Sequence, residues 1–466
     1  MASARFIVSR RVVLPTGIAP AAVRIEGGRI AAVLAPGALP ADAVAADAAG
    51  AVGDVLDLGD AVLMPGVVDT HVHLNEPGRT EWEGFETATR AAAAGGITTV
   101  CDMPLNSIPV TTTAAALATK VDAVSTHAWV DWALWGGVVP GNAPDLEALL
   151  AAGALGAKCF LVHSGIDEFP DVTEADLELA MPILARHGAV LLVHAEVPGP
   201  IAAAEPAARA ARPDQYRRWL ASRPPACEDE AVAMMIRLAE RHRCRTHIVH
   251  LSSASALPLL AAARARGVPI TVETCGHYLT FASEDIADGQ THFKCAPPIR
   301  ERANREALWA GLGAGTIDLV VSDHSPCTPA LKALEAGDFH AAWGGISGLQ
   351  LALSVVWTGA AAHGFDLGQL TEWMCAAPAR LAGLTGRKGS ITVGADADLV
   401  VFHPERTQRV DPAQLHHRHR LTPYAGRELR GVVEMTFLRG ERIYADRHDG
   451  QFQAAPTGQR LLPQHS

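Results

Sequence analysis

Eight short apolar segments alternate with Ala/Leu-rich helical segments between about residue 63 and residue 386 of the chain. Helical segments such as EADLELAMPILARHG and ALPLLAAARARG end in glycine, which is a common helix stop. A regular alternation of strands and helices predicts a parallel sheet, and eight repeats is the number that closes a (β/α)8 barrel. The strand candidates are VLMPGVVDTHVH, ITTVCDMP, HAWVDWALWGG, GAKCFLVHS, AVLLVHAE, RTHIVHLS, PITVETC and DLVVSDHS.

The two ends of the chain have a different pattern. Residues 1–62 and 387–466 contain short β segments with turns, such as FIVSRRVVL, AVRIEGGRIAAVL and GVVEMTFLRGERIYAD. We expect these two ends to fold together into a small β-sandwich domain beside a barrel that occupies residues 63–386. The predicted fold class is therefore α/β, a (β/α)8 TIM barrel with a β-sandwich built from both termini.

Composition narrows the class of function. The 466-residue chain has a formal net charge of −11, and its one dense basic cluster, HHRHR (His416 to Arg420), predicts a solvated or interface loop. Nucleic-acid binding usually leaves a larger basic patch and is not expected. No run of about 20 apolar residues predicts a membrane helix. Without a signal-peptide pattern or a CxxC pair among eight cysteines, we expect a reduced, cytoplasmic enzyme with a small-molecule substrate.

Six potential metal-binding side chains occupy the carboxyl ends of five of the eight strand candidates. His71 and His73 alternate in VVDTHVH, so both imidazoles point to the same side of a strand. In a βα barrel all such strand ends meet at one face, where active sites form. The other four residues are Lys158 on the fourth strand, His194 on the fifth, His250 on the sixth and Asp323 on the eighth.

Each of these residues also has a purely structural interpretation. A His-x-His pair occurs by chance on half-buried strands, and His194 or His250 could be an ordinary hydrogen-bonded histidine. Asp323 could cap a helix, and Lys158 could form a salt bridge. The coincidence of all six residues on one rim favours a two-metal hydrolase site.

Lys158 needs a modification to act as a ligand, because an ammonium group cannot bind a metal. Burial after an apolar strand and nearby cations would lower its pKa and give a neutral amine. Such an amine reacts with carbon dioxide to form a carbamate, an anion whose two oxygens can bridge two cations. Because the carbamate also reduces the excess positive charge of two divalent metals, we predict that Lys158 is N6-carboxylysine.

The set His-x-His, Lys, His, His and Asp resembles the ligand set of the amidohydrolase superfamily, in its cyclic amidohydrolase branch with hydantoinases, dihydroorotases and allantoinases. Within this branch the longer motifs are similar to those of the allantoinase family, and they span nearly the whole chain. Two residues depart from the pattern: Gly276, where proline is usual, and Cys101, where an aliphatic residue is common. The similar segments cover residues 71–107, 158–170, 273–281, 293–301, 321–332, 342–350 and 416–440.

The resemblance implies ring opening of allantoin to allantoate, a step of purine catabolism, by a homotetramer with two divalent metal ions per subunit. His71, His73 and Asp323 would hold one metal and His194 and His250 the other, with the carboxylated lysine as the bridge. Asp323 would also be the catalytic residue, passing a proton from the attacking water to the leaving ring nitrogen. Zinc is the expected metal, although cobalt, manganese and iron suit the same ligands.

Substrate choice depends on fewer residues. Asn75 stands where dihydroorotase-like chains carry an arginine that binds a carboxylate, which favours a neutral ureide as substrate. By analogy with hydantoinases, His163, Cys295 and Gly345 of the Trp343–Gly345 loop are predicted substrate contacts, with a structural loop role as the alternative for each. The nearest alternative function is a hydantoinase or another cyclic-ureide hydrolase, and a further alternative is a non-catalytic scaffold of the same fold.

Overall fold

The computed structural model describes residues 5–39, 55–446, 451–453 and 455–463. The strands are β1 (Arg5–Leu14), β2 (Gly17–Glu26), β3 (Arg29–Leu34), β4 (Val55–Asp57), β5 (Val62–Pro65), β6 (Val67–Val72), β7 (Ile97–Asp102), β8 (Asp131–Leu134), β9 (Gly136–Gly137), β10 (Gly156–Phe160), β11 (Val190–His194), β12 (Thr246–Ile248), β13 (Ile270–Cys275), β14 (Leu319–Val321), β15 (Leu399–Arg409), β16 (Glu428–Leu438), β17 (Glu441–Ala445) and β18 (Gln451–Phe452). The helices are α1 (Phe85–Ala94), α2 (Ala114–Val124), α3 (Leu146–Ala151), α4 (Glu174–Arg186), α5 (Pro198–Ala208), α6 (Tyr216–Ser222), α7 (Ala226–His242), α8 (Leu257–Ala265), α9 (Gly276–Thr280), α10 (Arg302–Gly313), α11 (Ala352–Ala362), α12 (Leu367–Thr371) and α13 (Ala377–Leu381).

Strands β6 to β14 form a parallel barrel. β6, β7 and β8 pair in that order, and β9 to β14 pair in chain order. A single residue, Trp135, separates β8 from β9, so these two segments make one barrel strand. The barrel closes between its first and last strands, where Val72 pairs with His324 and the His73 amide donates to the His324 carbonyl at 2.8 Å. The predicted (β/α)8 barrel is confirmed.

The barrel strands are buried on both faces, as near-continuous apolar segments predict for a parallel sheet. Every residue of β6, β7, β10 and β11 is buried. Helix α7 packs one face inward: its buried residues Ala231, Met235 and Leu238 follow the helical spacing of four and three residues. Helix α4 begins with a capping box in which Thr173 and Asp176 satisfy each other's backbone amides. Among the described residues, no helix is long and apolar enough to cross a membrane.

Both termini contribute to the second sheet, which runs in the order β18-β17-β16-β15-β5-β1-β2-β3, with β4 beside β1. Its residues alternate between two cores. Leu63 and Val401 belong to a core inside this terminal unit, whereas Met64 and Phe402 pack into the main core with the barrel. The predicted β-sandwich from both chain ends is thus confirmed as part of the fold class.

One strand prediction needs a correction. The sequence predicts a single strand over residues 62–73, but the structure divides it at Gly66 into β5, which pairs with β1 and β15, and β6, which is in the barrel. A Cβ at Gly66 would lie only 2.1 Å from Thr98 Oγ1, so the close approach requires glycine. The domain limits at 62/63 and 386/387 stay predictions, and β5 belongs by its pairing to the terminal sheet.

Candidate metal centre

The six predicted ligands converge at the carboxyl end of the barrel. His71, Lys158 and His194 lie within β6, β10 and β11, near or at their carboxyl ends. The other three, His73, His250 and Asp323, follow their strands by one or two residues. All six side chains are buried, and the topology of a parallel barrel brings these distant positions together.

His71, His73 and Asp323 form one group of potential ligands. Asp323 Oδ1 lies 3.3 Å from His71 Nε2 and 3.7 Å from His73 Nε2, and one ligand atom of each residue lies within 4.8 Å of the others. Burial lowers the pKa of both imidazoles well below the usual histidine value, and the neighbouring Lys158 lowers it further. Both rings are therefore neutral near pH 7, and each offers a nitrogen lone pair.

His194 and His250 form a second group. His194 Nδ1 lies 3.0 Å from His250 Nε2, and the ring centroids of His71 and His250 are 5.3 Å apart. Burial lowers the pKa of both His194 and His250. Two neutral imidazole nitrogens at this distance repel each other unless a proton or a cation lies between them. The donor set therefore fits a divalent cation at this position as well.

Lys158 lies between the two groups and has a perturbed amine. Its Nζ is 3.1 Å from His71 Nε2. Burial lowers the pKa of Lys158 to about 8, although Asp323 and Glu273 oppose the shift. Burial likewise raises the pKa of Asp323 to about 7, against the effect of Lys158. A fraction of the Lys158 amine is thus unprotonated near neutral pH, which is the form that reacts with carbon dioxide.

Two strand ends adopt backbone conformations that are uncommon outside glycine. His250 has φ 41° and Asp323 has φ 45°. The left-handed region costs free energy for residues with a Cβ, and such residues cluster at functional sites. Here the turn after β12 and the turn after β14 both place a polar side chain in the barrel mouth.

Two glutamates orient the ligand histidines, and the sequence analysis missed both. Glu273, on β13, accepts from His71 Nδ1 at 2.5 Å and from His247 Nε2 at 3.0 Å. Glu196 lies 2.8 Å from His194 Nε2. Each carboxylate occupies one ring nitrogen, which leaves His71 Nε2 and His194 Nδ1 for a metal. The sequence carried a signal for Glu196. It lies two residues after His194, so in an extended chain both side chains point to the same side.

Five of the six proposed ligands line a cavity of about 350 Å³. The sixth, His71, is buried behind them. Of the predicted substrate contacts, His163, Cys295 and Gly345 line this cavity. Asn75 does not; its side chain is buried and its amide donates to the Pro326 carbonyl at 3.4 Å. The sequence analysis did not single out several other lining residues, among them Asn106, Trp219, Arg223, Lys294 and His340.

Comparison with known proteins decides the family. The model of the amidohydrolase family matches residues 62–443. The chain belongs to the amidohydrolase family. Among curated relatives of this amidohydrolase, the allantoinase of Streptomyces avermitilis is 52% identical over 97% of both chains. The allantoinase of Saccharomyces cerevisiae is 44% identical over 86% of both chains, and that of Arabidopsis thaliana is 43% identical over 95% of this chain and 88% of the relative.

Solved structures agree with this assignment. The L-hydantoinase of Arthrobacter aurescens superposes with a TM-score of 0.90 at 31% identity, covering 98% of this chain and 99% of its own. The dihydropyrimidinase of Brevibacillus agri has a TM-score of 0.88 at 26% identity, with full coverage of both chains. The predicted resemblance to allantoinases is confirmed, and so is a metal-binding hydrolase of the amidohydrolase type. The roles of individual ligand and substrate residues stay predictions.

Proposed function

We propose that this amidohydrolase opens the hydantoin ring of allantoin to give allantoate, a step of purine catabolism. The observation that carries the proposal is 52% identity over 97% of the chain to a curated allantoinase. The cavity supports it, because the six polar side chains expected of the family converge there or directly behind its wall. A scaffold that had lost its chemistry would have no reason to keep them.

The proposed cofactors are two divalent metal ions per subunit. His71, His73 and Asp323 would hold one ion and His194 and His250 the other, with carboxylated Lys158 between them. Bound divalent ions polarise a carbonyl group and lower the pKa of a water molecule toward neutrality. Zinc is proposed as the native metal; cobalt, manganese or iron would suit the same ligands.

Asp323 is the proposed catalytic residue. Its carboxylate lines the cavity beside the other proposed ligands, where it can accept a proton from a water molecule and pass it on. We propose that it takes the proton of the attacking water and delivers it to the ring nitrogen as the amide bond breaks. Ser325 Oγ donates to Asp323 Oδ1 at 2.8 Å and holds the carboxylate in place.

The quaternary state and compartment are also proposals. A homotetramer rests on the family resemblance, and light scattering on the purified protein would test it. A cytoplasmic location is supported by the eight cysteines, all of which are free and buried. Unpaired thiols are typical of reducing compartments.

The decisive experiment measures hydrolysis of allantoin, 5-substituted hydantoins and dihydroorotate by the purified protein, before and after metal chelation. We expect turnover of allantoin that chelation abolishes and added metal with bicarbonate restores. Turnover of hydantoins without allantoin would instead support the alternative function, which the 0.90 TM-score to an L-hydantoinase favours. Absence of activity on every substrate after reconstitution would contradict both functions.

A further inference from the structure

Two basic side chains lie close to one indole in the cavity wall. Lys294 Nζ lies 4.4 Å from the ring centroid of Trp219, and Arg223 Cζ lies 4.8 Å from it. Trp219, Arg223 and Lys294, which we name the Trp219 cluster, all line the same cavity as the proposed metal ligands. The indole is itself fixed, because its Nε1 donates to the Cys295 carbonyl at 2.8 Å.

The Trp219 cluster has hydrogen-bond donors to spare. Lys294 Nζ donates to the carbonyls of His340 at 3.0 Å and Ala342 at 2.6 Å, so among the described residues its ammonium form has a third N–H group without an acceptor. Burial lowers the pKa of Lys294 to about 7, so this form is present at neutral pH together with the neutral amine. Arg223 donates from one Nη to Glu196 at 2.6 Å and has further N–H groups. The Arg223 guanidinium and the Lys294 ammonium offer no acceptor, so a ligand group that binds them must supply one.

The cluster is connected to the metal centre through a single carboxylate. Glu196 contacts both His194 of the proposed ligand set and Arg223 of the cluster. Because both groups of residues line one cavity, one small molecule could place its ring at the proposed metal ligands and its substituent at the Trp219 cluster. The cavity, about 350 Å³, has the size of a small-molecule site.

The chemistry of the cluster selects among ring substituents. An alkyl group would cover donor groups without replacing their bonds to water, which is costly. A ureido group has a carbonyl oxygen that can accept from the Lys294 and Arg223 donors. We propose that the Trp219 cluster binds the ureido carbonyl of the substrate and so selects ureido-substituted over alkyl-substituted hydantoins. This inference rests on the proposed function.

The unmodified protein supplies a first test. 5-Isobutylhydantoin matches allantoin in the branching and heavy-atom number of its substituent but has no acceptor there. We expect kcat/KM for allantoin to exceed that for 5-isobutylhydantoin by at least about 10-fold. Turnover of allantoin without this preference would overturn the inference alone. Failure to turn over allantoin at all would overturn the proposed function and the inference together.

Lys294→Met tests the residue itself, and Lys332→Met is its matched control. Lys332 is also buried and also donates to carbonyls of the same loop, those of Trp343 and Gly345, but it does not line the cavity. We expect Lys294→Met to lower kcat/KM for allantoin by about 10- to 100-fold and to change that for unsubstituted hydantoin by less than about threefold. Lys294→Arg, which keeps the donors, should recover part of the loss.

The selectivity ratio separates recognition from loop support. A loosened loop would lower kcat/KM for both substrates alike in Lys294→Met. A fall of the allantoin-to-hydantoin ratio in Lys332→Met as large as that in Lys294→Met would likewise assign the effect to the loop and not to the lining residue. Either of these results would overturn the proposed subsite.

Discussion

At the scale of the residue, the metal centre depends on which ring nitrogen each histidine offers. Glu273 takes Nδ1 of His71, whereas Glu196 takes Nε2 of His194, so opposite nitrogens of the two rings point inward. Both carboxylates are fully buried, and a buried carboxylate is retained only where it is paired. In the proposed metal centre, two residues behind the ligands would thus determine which ring nitrogen each histidine offers.

Asp323→Asn should abolish turnover while the protein stays folded. Asparagine keeps the shape of the side chain but cannot accept a proton, so we expect kcat to fall by at least about 1,000-fold. The measurement is allantoin hydrolysis together with circular dichroism and the melting temperature. Asp167→Asn is the control, because Asp167 is an exposed carboxylate beside His163 at the cavity. Near-normal turnover by Asp323→Asn would contradict the proposed role.

The sequence predicted the residues at strand ends. The alternation of side chains along a strand and the order of strands in a closed barrel are enough to locate them. His71 and His73 share one side of a strand, and a closed barrel brings their strand next to that of Asp323. Arg223 and Lys294 could not be found this way. Their partners lie in other elements, for example Arg223 after α6 against Glu196 after β11, and no local rule specifies such a pairing.

At the scale of the element, the His416–Tyr424 segment crosses the barrel face behind the proposed catalytic residue. The sequence predicts a solvated or interface loop there, but His417 is buried with its ring 4.8 Å from that of His324, the neighbour of Asp323. Glu83 anchors the segment: its Oε1 accepts from the Arg418 amide at 3.0 Å, and its Oε2 lies 3.4 Å from His324 Nε2. The segment and the end of β14 therefore share one buried carboxylate.

Glu83→Ala should release this segment. Loss of a buried acceptor for the Arg418 amide is expected to destabilise the native fold by about 2–3 kcal/mol. Trypsin should then cleave after Arg418 or Arg420 faster than in the unmodified protein, and kcat should fall because His324 adjoins Asp323. Time-resolved mass spectrometry of the digest measures the first effect.

Glu83→Gln is the matched control, since it keeps an oxygen that can accept from the Arg418 amide. Its cleavage rate should lie between those of the alanine variant and the unmodified protein. If Glu83→Ala were cleaved no faster than the unmodified protein, the anchoring role would be wrong.

At the scale of the whole molecule, a buried charge cluster joins the barrel to the terminal sheet. Lys388 Nζ lies 2.6 Å from Asp131, 2.9 Å from Asp396 and 2.5 Å from Asp398. Asp131 begins β8 of the barrel, and Asp398 immediately precedes β15 of the sheet. The three carboxylates could by their spacing hold a cation, and the lysine ammonium takes that position. The long-range pairing explains why the sequence alone did not reveal it.

Lys388→Met should lower the free energy of unfolding by about 3–5 kcal/mol. Asp131 and Asp396 keep the arginine partners Arg439 and Arg387, but among the described residues the buried Asp398 pairs with no cation other than Lys388. Burial alone would lower the pKa of Lys388, but Asp398, Asp131 and Asp396 together raise it. A raised folded-state pKa means that the contribution is complete below the ordinary lysine value of about 10.4 and is lost only as the pH rises beyond it. Melting temperatures of both proteins at pH 7, 8 and 9 should therefore differ by a constant amount.

Arg10→Met is the control, because the Arg10–Asp60 pair of the same sheet is exposed and its loss should change little. A difference between Lys388→Met and the unmodified protein that shrinks steadily from pH 7 to pH 9 would show that Lys388 is not held in its charged form by the three aspartates.

All five lysines of the chain, Lys120, Lys158, Lys294, Lys332 and Lys388, are buried. The outer surface thus offers cationic guanidinium groups but no ε-amine. Bulky acylating reagents should leave every lysine of the native protein unlabelled, whereas a gas as small as carbon dioxide can reach a buried amine. If Lys158 is carboxylated as proposed, the reaction would meet no competition from lysines on the outer surface.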